Sequence, residues 1–192
     1  MFALITLAVV SLAIVGATLT PFLSAALLWI ILFFSAFTSI AHSFVKEEDS
    51  HTAPLLRVFA TGATVFWGKL AFNLALLLML TIIATPLFVV FTHSDVGNIA
   101  LLIVSLLLGI VGLAGGTTIV AAIVAQAETR GALFATLAAP ILLPALLLVV
   151  EATSGAFAGG TFAEATTSLQ GLIAYNGVMI TASTMLFDHV WR

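Results

Sequence analysis

The chain has no cysteine, which excludes thiolate catalysis, thiolate metal sites and covalent CxxCH haem attachment. Charge is nearly as scarce. Charged residues make up 7% of 192, where an ordinary soluble domain has roughly 25%. So few polar side chains cannot cover a water-facing surface, and a soluble globule is excluded. Five Lys+Arg and a net charge of −3 exclude a nucleic-acid binder. With 62% hydrophobic residues the chain is no disordered tail. What remains is a membrane protein about one domain in length.

What is present is long apolar runs. A bilayer core about 30 Å thick needs about 20 apolar residues in a helix. Six stretches qualify: about 2–19, 22–45, 70–92, 98–126, 133–152 and 167–186. They are continuous and rich in Leu and Ala rather than alternating, so helices are predicted and not strands. The expected fold is all-α integral membrane, with one transmembrane permease domain over residues 1–192.

The basic residues set the orientation. Lys46, Arg57 and Lys69 lie between the second and third spans, Arg130 lies between the fourth and fifth, and Arg192 ends the chain. Six spans put all of them on one side, and the positive-inside rule makes that side cytoplasmic. Both termini are then cytoplasmic. The opposite loops carry no Lys or Arg.

The one sizeable polar segment is 46–69, KEEDSHTAPLLRVFATGATVFWGK. It starts acidic, turns apolar around Leu55, Leu56 and Phe59, and meets the bilayer again at Trp67 and Lys69, as interfacial aromatics and snorkelling lysines do. Two readings stand side by side. It is a plain interfacial loop, or a short helix whose apolar residues enter a cleft of a soluble partner while the charges fix register.

In the fourth span Gly109, Gly112 and Gly116 fall at i, i+3 and i+7, and 112–116 reads GxxxG, a small face for close helix packing. A thin wall beside a substrate path is the rarer reading. In the fifth span Pro140 and Pro144 lie on one face, so a kinked or interrupted helix is expected there, with gating as its functional version. The weakly polar stretch 153–166 is expected to be a re-entrant or interfacial element.

Catalytic motifs are missing. The run GATVFWGKL superficially resembles a phosphate loop, but five residues separate Gly62 from Gly68-Lys69, and Leu70 replaces the magnesium-binding hydroxyl. No HExxH and no nucleophile elbow occur. The expectation is no catalytic residue, no resident metal and no ATP site. Any histidine could in principle ligate haem iron. His42 and His93 are the candidates, with His93 two residues before Asp95. A membrane enzyme would require His93, Asp95 and Glu151 to converge.

The run FVKEEDSHTAPLLRV, then GKLAFNLALLLML, then AQAETRGALFATLAAPILLPALLLVVEA resembles the CcmB family, the permease subunits of the bacterial cytochrome c maturation haem exporter. The resemblance covers about Leu28 to the end, and residues 126–150 are its most specific part. It departs at His51-Thr52-Ala53-Pro54, where family members commonly read Gly-Thr-Leu-Glu. The charged amphipathic helix that usually precedes the first span is also missing, so the start is expected to be trimmed or the chain a short variant.

The resemblance implies an ABC-exporter, ABC-2-like, permease bundle in the bacterial inner membrane. It implies a separate ATP-binding-cassette ATPase (CcmA-like) that carries the ATP, a haem-handling membrane subunit (CcmC-like), a periplasmic haem chaperone (CcmE-like), and haem as cargo. On that reading Glu47, Glu48, Asp49, Leu55, Leu56 and Arg57 couple the ATPase to the spans. The rivals are an ABC permease for a lipid or polysaccharide, since fold does not decide substrate, and a non-transporting assembly scaffold.

Overall fold

The computed structural model describes residues 2–14, 18–49, 62–125 and 130–190, with side chains described for 5–14, 18–36, 62, 64–120 and 137–185. Among these residues there are six helices and no strand: α1 (Phe2–Ala13), α2 (Pro21–Asp49), α3 (Gly62–Thr92), α4 (Ile99–Ala125), α5 (Arg130–Phe157) and α6 (Thr166–Val190). Each apolar run of the sequence corresponds to one helix. Lipid offers no hydrogen-bond partner to the backbone, so each segment must satisfy its own amides, and a helix does so locally. Three stretches with described side chains are long and apolar enough to cross a membrane: Thr64–Thr92, Ile99–Val120 and Leu137–Phe157. Pro21–Ala36 is apolar but shorter. The protein is a multi-pass membrane protein.

The helix limits differ from the expected spans in three places. The first helix stops at Ala13 rather than about Leu19. Thr18–Thr20 are non-helical, because Pro21 disfavours helical backbone in the residue before it. Thr20 instead caps α2, its Oγ1 accepting the Leu23 amide at 3.3 Å. Around the polar segment, α2 continues to Asp49 and α3 already begins at Gly62. Once a helix is nucleated it propagates into polar sequence at little cost, so the edge of apolarity is not the edge of the helix. At 153–166, α5 runs on to Phe157 and the remainder is a tight turn, where a re-entrant element was expected.

That turn is held on both sides. Gly159 has φ +80°, Gly160 N–H donates to Gly155 O at 2.8 Å and Gly159 N–H to Ala156 O at 3.3 Å, which is a Schellman close to α5. Thr161 and Glu164 then exchange side-chain-to-amide bonds at 3.0 and 3.4 Å, a capping box one turn before α6.

Helix α4 is the axis of the bundle. It packs against α2, α3, α5 and α6, while α1 lies outside against α2 and α3. Trp29, Phe66, Phe88, Ile110 and Leu113 are fully buried around it. Both prolines of α5 are exposed, and the helix is unbroken through them.

Candidate functional site

Two regions bear on function: the polar connection between α2 and α3, and the opposite end of the bundle, where the short turns meet. Between them runs a set of buried polar ties.

In the first region Glu47, Glu48 and Asp49 lie in the last turn of α2. Their side chains, and that of His42 further back in the helix, lie outside the described residues, as do Leu55, Leu56 and Arg57 altogether. In α3, Trp67 is exposed and Lys69 half-buried.

The ties start at the glycines of α4. A methyl group on Gly109 would overlap the Trp29 ring of α2 and come within 2.6 Å of Val149 Cγ2 of α5. One on Gly112 would lie 2.7 Å from Asn176 Oδ1 of α6, and one on Gly116 would overlap Leu142 of α5. The three glycines thus admit three different helices. What they admit is polar as well as bulky. Trp29 Nε1 donates to Thr153 Oγ1 at 2.9 Å, joining α2 to α5. Asn176 Nδ2 donates to Leu108 O at 2.9 Å, joining α6 to α4. Asn73 Nδ2 donates to Thr118 Oγ1 at 2.8 Å, fixing the register of α3 against α4. Such bonds act as glue where lipid cannot compete for them.

The prolines of α5 enter the same scheme. Pro144 supplies no amide and crowds the preceding turn. In that turn the Ile141 carbonyl accepts the Tyr175 hydroxyl of α6 at 2.7 Å. A neighbouring helix thus supplies a donor where the proline weakens the ladder.

At the turn end, Asn98 joins two helices. Its Oδ1 accepts the Leu101 amide at 3.0 Å, capping α4. Its own N–H donates to Ala156 O at 2.9 Å, and its Nδ2 to Gly160 O at 2.9 Å. Gly97 and Gly159 touch backbone to backbone, and a Cβ on Gly97 would overlap Gly159.

Beside this junction a cavity of about 360 Å³ opens between the 18–21 connection, Ser24, residues 92–95 and Phe157. Its hydroxyls form a directed chain. Thr92 Oγ1 donates to the Phe88 carbonyl at 2.7 Å, so it must accept from Ser94 at 2.8 Å, and Ser94 in turn accepts from Ser24 at 3.1 Å. His93 follows the end of α3 with φ +51°, a left-handed backbone that costs a non-glycine residue about 1–2 kcal/mol. Its Nδ1 lies 2.8 Å from the Val90 carbonyl. A carbonyl only accepts, so Nδ1 carries the proton and neutral His93 keeps its lone pair on Nε2. Asp95 shares the cavity; Glu151 does not line it. Among the described residues no three His, Cys, Asp or Glu side chains group to hold a metal ion.

A family model described as CcmB protein matches residues 1–189. The chain belongs to the CcmB family. Membership makes it a permease component of an ATP-binding-cassette system, in the membrane part of the haem exporter that serves cytochrome c maturation. The family implies association with other Ccm proteins. No curated protein and no solved structure matches the chain.

None of the ties Trp29–Thr153, Asn73–Thr118, Tyr175–Ile141 or Asn176–Leu108 was singled out from sequence. The usable signal was an amide or phenol inside an apolar run, since a polar group at membrane depth demands a partner. That signal marks the residue but not the partner.

Proposed function

We propose that this CcmB-family chain is the coupling component of an ATP-driven haem exporter or haem-chaperone release complex. It crosses the bacterial inner membrane six times with both termini in the cytoplasm. The single observation that carries the orientation is charge asymmetry. Lys46, Arg57, Lys69, Arg130 and Arg192 all belong to one end of the bundle, and the end with residues 18–20, 93–98 and 158–165 has no Lys or Arg.

The 46–69 connection engages a CcmA-like ATPase, which binds and hydrolyses the ATP. Glu47, Glu48, Asp49 and Arg57 set the register, and Leu55 and Leu56 supply the apolar anchor. Motion of the ATPase pulls on the facing ends of α2 and α3. From there it has two routes into the bundle: α2 is tied to α5 through Trp29–Thr153, and α3 to α4 through Asn73–Thr118. Both routes lead to the turn end, where a CcmC-like haem-handling subunit and a CcmE-like chaperone meet the haem cargo.

Replacing Leu55 and Leu56 with Asp tests this. Loss of ATPase co-purification together with loss of ATP-dependent cytochrome c assembly is expected. Undiminished co-purification and assembly would overturn it. A scaffold without transport would show assembled partners but no change in ATPase rate on adding haem or chaperone.

A further inference from the structure

The residues around the turn-end cavity are electron donors throughout. In the hydroxyl chain Ser24→Ser94→Thr92→Phe88 O every proton is committed within the chain, so what these side chains can offer a ligand is oxygen lone pairs. Asp95 adds a carboxylate and His93 an imidazole with Nε2 unprotonated. An anion gains nothing from such a lining, whereas a Lewis-acidic centre does. Leu19, Pro21 and Phe157 add apolar wall.

The backbone at His93 points the same way. The position after a helix end with left-handed φ is ordinarily held by Gly or Asn. The Ser94 amide, 3.3 Å from the Val89 carbonyl, makes the bond typical of that close. Either usual residue would serve the turn with less strain. A histidine kept there against its backbone preference suggests that the imidazole itself is used. The Nδ1–H···O=C bond is also the arrangement that orients a metal-ligating histidine and presents Nε2.

The number of ligands chooses between a bare ion and haem. A free metal ion would need further protein donors, and no third His, Cys, Asp or Glu joins His93 and Asp95 among the described residues. Haem brings four ring nitrogens of its own, so one imidazole completes a five-coordinate iron. The space of about 360 Å³ is also too large for an ion and falls within the usual range for a small-molecule site, about 300–1,000 Å³.

We infer that His93 Nε2 is an axial ligand to haem iron at the turn end of the bundle. The porphyrin edge rests on Leu19, Pro21 and Phe157, and the propionates face outward, away from Asp95 and the hydroxyl oxygens. This rests on the haem-export reading above and adds to it a docking point on this chain.

The test uses the full chain with its ATPase in lipid nanodiscs, titrated with ferric protoporphyrin IX and followed by Soret absorbance. The wild type should give a saturable histidine-ligated band at one haem per chain. His93→Gly relaxes the backbone and should abolish the band, and free imidazole should restore it. His93→Asn should also lose the band, because the amide keeps the turn but offers no comparable ligand. An unchanged band in His93→Gly and His93→Asn would overturn the assignment, as would iron-free protoporphyrin IX binding as tightly as haem. The two readings fail separately. ATPase co-purification sensitive to Leu55 and Leu56, with a Soret band indifferent to His93, would sink only the ligand assignment.

Discussion

Gly109→Ala is the sharpest probe of the packing around α4. The added methyl would overlap the Trp29 ring and stand 2.6 Å from Val149 Cγ2. Neither neighbour can yield cheaply. Trp29 is 1% exposed and its Nε1 is held by Thr153, and Val149 is also 1% exposed, on the opposite wall. Overpacking a filled interior costs about 1–3 kcal/mol. Turning the indole to make room would break a buried bond worth about 0.6 kcal/mol in a membrane bundle. Against this, Ala gains roughly 0.5–1 kcal/mol over Gly in a helix. The balance is a destabilisation of about 1–2 kcal/mol, or roughly 5- to 30-fold in the folded-to-unfolded ratio. Gly115, six residues along the same helix, is the control. Its nearest neighbour would be Ile180 Cγ1 at 4.0 Å, an ordinary contact. Gly115→Ala should therefore be neutral or more stable, by up to about 1 kcal/mol. The assay is SDS-induced unfolding from mixed micelles, read as loss of helical circular dichroism. Equal stability of Gly109→Ala and wild type, or equal losses at 109 and 115, would refute the reasoning.

The hydrogen-bonded ties can be probed in the same way. Tyr175→Phe removes the donor that serves the Ile141 carbonyl and should cost about 1–2 kcal/mol in the same unfolding assay; in a Pro144→Ala background, where the helix regains its own amide, the cost should shrink. Asn98→Ala strips the α4 cap and the bond to Gly160 together, and a loss of about 1–2 kcal/mol is expected, with faster hydrogen exchange confined to the 97–103 and 156–162 amides.

Much of the architecture could be read without coordinates. A bilayer leaves a chain few choices: apolar runs of sufficient length become helices, and sparse basic residues say which ends share a side. Gly109, Gly112 and Gly116 were recognisable as a packing face by their spacing alone. Their targets were not, since spacing says that something comes close and not which helix brings it. Pro140 and Pro144 show the reverse error. Proline chemistry suggested an interrupted helix, yet α5 is continuous, with Tyr175 from α6 donating beside Pro144.

By itself the sequence determined the class of the molecule, the six helices, the asymmetry of charge and the family, because each depends on local composition or on a colinear pattern. Tertiary structure alone decided that Trp29 meets Thr153, 124 residues away, that the hydroxyls of Ser24, Ser94 and Thr92 form one directed chain, and that His93 takes a backbone suited to glycine. Pairings of that kind depend on where helices far apart in the chain come to lie, and a single buried hydroxyl or ring carries no mark of its partner until the bundle closes around it.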